Sequence, residues 1–167
     1  MKQKIVTLSE LPDHEGLELV SEPFSVSFED QRLFEESTWM PRIYPPDQES
    51  APDYPEGMIE GFHTLGLLDV LVHEMFRVDP GKTYAFNYGL DNVRFPAGIT
   101  VTDSLVLTAT IAKVVPRNGG YLVTYHCEIT AVGATKPGMV ADWHGLVLPR
   151  ASTLAADGAG SAEMSRA

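Results

Sequence analysis

Three stretches of the chain carry residues able to move protons or hold a polar ligand. The first is Glu60-Gly61-Phe62-His63. Side chains three apart on a helix are neighbours, so the Glu60 carboxylate and the His63 imidazole fall one turn from each other. Such a histidine can act as an acid/base or anchor a polar group of a ligand. It can equally be a hydrogen-bonded histidine of the core. The second stretch, residues 39–57, holds five prolines together with Trp39, Met40, Ile43, Tyr44 and Tyr54. Proline removes backbone donors and disfavours helix before it, so this is a long irregular loop. Its apolar and aromatic content exceeds what a bare linker needs. The third is Asp69, His73 and Glu74. A histidine near a helix C-terminus reads first as a favourable end charge, and Asp69 as a local cap or pair.

Other chemistries find no support in the spacing. The five histidines form neither H-x-x-x-H nor H-E-x-x-H, so no metal site is expected. No glycine-rich phosphate loop occurs, and no cofactor is implied. A single cysteine, Cys127, excludes an internal disulfide and lies in an alternating pattern, where it reads as a small buried hydrophobe.

The elements that must position these residues follow from periodicity. Residues 17–26 read as one or two short extended pieces broken by Pro23. Ser27 and Asp30 have capping-box spacing and open a helix to about Thr38, with Phe28, Leu33 and Phe34 as its apolar contacts. Residues 58–77 form a helix apolar on almost every side, so it must be enclosed, and Val78-Asp79-Pro80-Gly81 stops it. Glu60, His63, Asp69, His73 and Glu74 exclude a membrane span. Residues 84–90 and 92–95 are strand on either side of a kink. Three alternating runs follow at 104–115, 121–132 and 139–148, joined by turns at 116–120 and 133–137. The fold class is α+β, a long antiparallel sheet wrapped around one helix. Residues 1–16 read as an arm, 17–150 as one domain, and the Ala/Ser/Gly-rich 151–167 as a disordered tail.

Three segments give this arrangement a family likeness. I-E-G-F-H-T-L-G-L-L at 59–68 resembles the central-helix motif of the MaoC-like enoyl hydratases and dehydratases, I-A-H-G-F-L-T-L-S-L-L. N-Y-G-L-D-N-V-R-F-P-A at 87–97 is similar to their Y-G-L-N-x-V-R-F-P-A-P-V strand, and K-P-G-M-V-A-D-W at 136–143 to their last strand. The resemblance spans about residues 17–150 and implies the hot-dog fold. It implies acyl thioesters on coenzyme A or an acyl carrier protein as substrates. It also implies an Asp and a His in D-x-x-x-x-H before the helix, a backbone N–H at the helix-start glycine that holds the thioester carbonyl, and an acyl tunnel.

The likeness breaks at the dyad. Counting back from Gly61 puts Trp39 at the Asp position and Tyr44 at the His position. Neither an indole nor an ordinary phenol is a base near pH 7. None of His14, His63, His73, His126 or His144 has Asp or Glu five residues before it. Glu60 replaces the family's His before the glycine, and His63 replaces a Leu. The site expected on this basis has Tyr44, His63 and Glu60 as catalytic groups. Trp39, Tyr54, Gly61 and Phe62 are the substrate-binding ones, around an apolar cavity near Gly61.

Composition bounds the partners. The chain has 167 residues, with Lys+Arg 12 against Asp+Glu 23, a net charge of -11 that disfavours nucleic acid and anionic membranes. No signal-peptide pattern or membrane-length apolar run occurs, so a soluble cytoplasmic protein is expected. A lone sheet of this kind has an open edge, so a homodimer or hot-dog heteromer is expected. Three functions fit: a family enzyme repurposed to cyclise, isomerise or atypically dehydrate an acyl or polyketide chain, a non-catalytic subunit shaping a partner's acyl tunnel, and a conventional hydratase with relocated acid and base.

Overall fold

Alternation of apolar and polar residues produces the long strands, because every second side chain points to the same face. The computed structural model describes residues 3–44 and 55–150. In chain order the elements are β1 (Lys4–Val6), β2 (Glu18–Val20), α1 (Phe28–Ser37), α2 (Gly61–Gly66), α3 (Leu68–Met75), β3 (Phe76–Val78), β4 (Thr83–Arg94), β5 (Leu105–Arg117), β6 (Gly120–Ala131) and β7 (Met139–Pro149). The main sheet has the order β2-β5-β6-β7-β4, with every pairing antiparallel. It is the hot-dog arrangement, with one face curled against α3. Leu105, Leu107, Ala109 and Ile111 of β5, Val123, Tyr125, Cys127 and Ile129 of β6, and Met139, Ala141 and Trp143 of β7 all turn inward to the core. Cys127 is fully buried, and loss of solvation pushes its thiol up to about 12, so it is inert packing.

The strand reading from sequence holds closely. The kink in β4 takes the form of register shifts between Asn87 and Gly89 and between Asp91 and Arg94. Pro23 breaks the early extended segment, leaving β2 and an isolated bridge from Phe24 to Leu105. The N-terminal arm is tied down: β1 pairs in parallel with β3, and Leu11 is fully buried.

The helical reading needs three corrections. Ser27 and Asp30 do form a reciprocal capping box at the start of α1. That helix nevertheless turns Gln31 to the core and leaves Phe28 and Leu33 exposed, so its inward face is polar at the centre. The expected single helix over 58–77 is two, broken at Leu67 after Gly66, and its last residues leave as β3 because β1 offers them a strand partner. It is also not enclosed on every side. One sheet covers one face, and Phe62 and Val70 remain exposed at 70% and 51%.

Gly66 explains the break. Glycine is about 1 kcal/mol worse than alanine in a helix interior. A methyl placed there meets nothing within 4 Å beyond the helix itself. Gly66→Ala is therefore expected to stabilise the fold by roughly 0.5–1 kcal/mol, raising Tm by about 2–4 °C for a domain of this size. A fall in Tm in a thermal melt would show that the break itself is needed.

Candidate active site

Helix α1 crosses the start of α2, and the contact is made by polar groups. Gln31 is 5% exposed. Its Oε1 lies 2.8 Å from His63 Nδ1 and 3.3 Å from the Glu60 backbone nitrogen, and its Nε2 donates to Glu35 Oε1 at 2.9 Å. A backbone N–H can only donate, and a carboxylate only accepts. The amide orientation is thus fixed by its two other partners, and His63 must donate from Nδ1. The lone pair is left on Nε2, which has no hydrogen-bond partner among the described residues. No side-chain nitrogen or oxygen there is both sealed from solvent and unbonded, so Nε2 reaches open space. The ring is held flat against Phe34, with centroids 4.7 Å apart and planes 5° from parallel.

Burial dominates the electrostatics here. It pushes the His63 pKa below its usual value, although Asp30 and Glu35 pull the other way. It raises Glu60, and the Glu35 carboxylate adds to the rise. No hydrogen bond or ion pair joins the Glu60 and His63 side chains among the described residues; Gln31 stands between the two positions instead.

The other expected site residues are placed as follows. Trp39 directly follows the end of α1 in the left-handed region at φ 63°, the position where helices favour glycine. Its ring is exposed with the Arg42 guanidinium 4.5 Å above it. Tyr44 is also exposed, at 63%. Phe62 points outward and meets Phe95 edge-on at 6.2 Å. A methyl on Gly61 would lie 2.9 Å from the Phe95 ring, so this glycine lets Phe95 close on the helix start. Tyr54 lies outside the described residues, as does the tail read as 151–167.

A cavity of about 480 Å³ opens further along, between α3 and the β4 end of the sheet. Its floor is Tyr125 and Trp143, directly opposite each other on β6 and β7 and stacked at 5.0 Å. Trp143 Nε1 donates to Asn87 Oδ1 at 3.0 Å. Its rim carries Asp69 and His73, one turn apart, with Nδ1 of the imidazole 2.6 Å from the Asp69 carboxylate. The D-x-x-x-H spacing of this pair is visible in the sequence, where it was read as helix-end charge. Gln31 had no such signal, since a lone Gln among Glu residues looks like a solvated helix face.

Two further Asp–His pairs, His126 with Asp142 and His144 with Asp91, project from the opposite face of the sheet. They sit on alternate positions to the buried Ala141 and Trp143 and cross-link strands there. Among the described residues no cluster of His, Cys, Asp and Glu is arranged to hold a metal ion. No helix among them is long and apolar enough to cross a membrane.

Comparison with known proteins settles the family. No family model matches the chain. The 3-hydroxyacyl-thioester dehydratase Z of Mycobacterium tuberculosis is 34% identical over 121 residues, covering 71% of this chain and 80% of that protein. The chain belongs to the MaoC-like dehydratase family. Among solved structures, a monoamine oxidase regulatory protein from Archaeoglobus fulgius superposes with a TM-score of 0.65 at 15% identity, covering 90% of this chain and 99% of that one. A MaoC-like dehydratase from Rhodospirillum rubrum gives 0.60 at 14%, covering 81% and 93%. At those identities the likeness is one of fold. This family member keeps the hot-dog frame and carries at α1 and α2 a buried Gln–His contact.

That contact has a measurable consequence. A histidine with a lowered folded pKa binds its proton less readily than in the unfolded chain. Stability is then lost as pH falls below its ordinary value of 6.5. His63→Leu should lessen this acid-side loss in melts between pH 7.5 and 5.5. It is not silent at neutral pH, as replacing His by the family's Leu would otherwise suggest. Gln31 loses a buried partner, at a cost of about 1 kcal/mol or more. An unchanged pH slope would show that His63 does not titrate with folding.

Proposed function

We propose that the chain acts on an activated acyl or polyketide chain, carried as a thioester on coenzyme A or an acyl carrier protein, without the loop dyad of its family. The reaction is a cyclisation, an isomerisation or an atypical dehydration. The observation that carries this reading is the family relationship to a 3-hydroxyacyl-thioester dehydratase at 34% identity, combined with Trp39 and Tyr44 at the counted positions of the dyad. The loop keeps a costly backbone there. A left-handed tryptophan costs on the order of 1 kcal/mol, and strain of that kind persists where it serves a site.

In this reading His63 Nε2 and Glu60 form the polar end of the site and Tyr44 supplies a hydroxyl donor. Trp39 and Phe62 form apolar walls, and the Gly61 N–H meets the carbonyl. A second copy supports the arrangement. β4 is twelve residues long, has a strand partner on one side, and exposes Tyr84, Phe86, Tyr88 and Leu90. Pairing that edge with its equivalent would cover it. The same exposed surface favours a second reading, in which the chain shapes the acyl tunnel of a dyad-bearing partner. A stable monomer by light scattering, with no partner chain present, would count against the homodimer.

Hydration of crotonyl-coenzyme A is expected to fall far below the ~1–10³ per second of ordinary enzymes. Turnover in that range would restore a conventional hydratase. On the true substrate, Tyr44→Phe should lower kcat by roughly 10²–10³, the usual effect of removing one oxyanion donor. Full activity in that variant would remove Tyr44 from the site. Trp39→Gly exchanges about 1 kcal/mol of backbone relief for about 0.5–1 kcal/mol of lost cation–π contact. Its Tm should therefore move little, and a loss of turnover at constant Tm would mark the ring as a substrate wall.

A further inference from the structure

The cavity beside α3 holds a group that the fold leaves without a partner. Tyr125 is 4% exposed and lines the cavity, and its hydroxyl makes no hydrogen bond among the described residues. No side-chain oxygen there is both sealed and unbonded, so the hydroxyl reaches open space. The cavity is the space that Tyr125 lines. A phenol so buried, with its hydroxyl open to the cavity, is placed to donate to whatever the cavity holds.

The rim supplies the complementary function. His73 gives Nδ1–H to the Asp69 backbone carbonyl at 2.8 Å, and the Asp69 carboxylate stands beside the same nitrogen at 2.6 Å. That fixes the tautomer and leaves the Nε2 lone pair free, as an orienting carboxylate does for a general base. The ring stands edge-on to Trp143, with planes at 85° and centroids 5.9 Å apart, which ties it to the cavity floor. A donor hydroxyl, an oriented imidazole and a flat aromatic floor share one cavity of about 480 Å³, within the ~300–1,000 Å³ of small-molecule sites.

We propose that this cavity is a proton-transfer site for a flat, unsaturated acyl chain, with Tyr125 and His73 as its catalytic residues and Asp69 as the positioning residue. It rests on the reading that the chain handles activated acyl groups, and it is independent of the roles assigned at Gly61 and Tyr44. The Tyr125 O–H donates to the acyl carbonyl oxygen. His73 Nε2 takes a proton from the carbon beside that carbonyl. The C–H electron pair becomes a C=C bond, and the carbonyl pair moves to oxygen as a dienolate. The imidazolium then returns the proton two carbons further along, the oxygen pair re-forms the carbonyl, and the double bond has shifted by one position. No co-reactant is consumed. The stacked floor of Tyr125 and Trp143 matches the planarity of the dienolate.

The test uses the full chain and vinylacetyl-coenzyme A in D2O, with the shift to crotonyl-coenzyme A and deuterium at its terminal carbon followed by NMR. Asp69 and His73 have half-exposed and partly exposed side chains, and Tyr125→Phe keeps the ring, so the variants should fold; circular dichroism checks this. His73→Gln is expected to lower kcat by about 10²–10⁴ with KM little changed. Tyr125→Phe should lower it by about 10²–10³. Val70→Trp, at the cavity wall, should raise KM instead. Shift activity in the wild type that survives in His73→Gln or Tyr125→Phe overturns the cavity proposal alone. So does a wild type that turns over other acyl thioesters but never shifts this probe. A wild type that neither binds nor converts any acyl thioester, by calorimetry and NMR, overturns both this proposal and the function it rests on.

Discussion

A five-stranded sheet can cover only one side of the helical segment it curls around, and this constraint decides most of what the chain can do. The covered side of α3, through Leu68, Leu71, Val72 and Met75, joins a continuous core with β5, β6 and β7. The uncovered side leaves Val70 and Phe62 in solvent and leaves β4 with an open edge. The space where the sheet extends past the helix is the cavity floored by Tyr125 and Trp143. Tyr125 and Trp143 belong to that core and also form the cavity floor, so two buried residues face an opening.

The frame was legible because its signals are long and redundant. Strands β5, β6 and β7 each run eleven to thirteen residues and alternate over most of their length, and the turns between them carry Asn118-Gly119 and Gly133 at positive φ. The break at Gly66 was not legible in the same way. The apolar pattern runs through it, and one glycine in a helix is a weak signal against ten apolar neighbours. Nor was the exit into β3, since a three-residue strand exists only by virtue of β1 seventy residues earlier. Local pattern cannot report a parallel pairing of that separation.

The site was less legible than the frame, for a related reason. His63 was found because an imidazole in an apolar run stands out. Its partner was not, because Gln31 sits among Glu29, Asp30, Glu35 and Glu36, where a polar residue reads as solvated face. What distinguishes Gln31 is its position over the start of α2, thirty-two residues away. Glutamine suits that place physically. Its oxygen accepts from both His63 and the Glu60 N–H while its nitrogen donates to Glu35, which neither an acid nor an aliphatic residue could do. The Asp69–His73 pair presents the opposite case. Its spacing was visible, yet its meaning came only from the wall it stands on.

Three Asp–His pairs are present among the described residues, and what each stands beside separates their roles better than exposure does, since His73 is more open than His144. His126–Asp142 and His144–Asp91 are joined by hydrogen bonds of 2.8 and 3.0 Å, whereas His73 stands 2.6 Å from the Asp69 carboxylate and bonds to the Asp69 carbonyl. Hydrogen bonding to Asp142 raises the His126 pKa, and in return Asp142 is lowered by His126 and by Asn92. These are mutually satisfied groups on an open sheet face, and they use their hydrogen bonds to hold β4, β6 and β7 in register. Asn92 to Asp142 and Asp91 to His144 both bridge the edge strand to its neighbour on either side of a register shift, where backbone pairing is interrupted. His73 differs in having a low-dielectric wall of stacked aromatics beside its free nitrogen and an unbonded phenol in the same cavity. A proton moved beside Trp143 and Tyr125 is moved next to an apolar wall, where electrostatic interactions are stronger. An Asp–His pair becomes chemistry where the surroundings make proton position matter, and in this fold that condition is met on the inner side of the sheet.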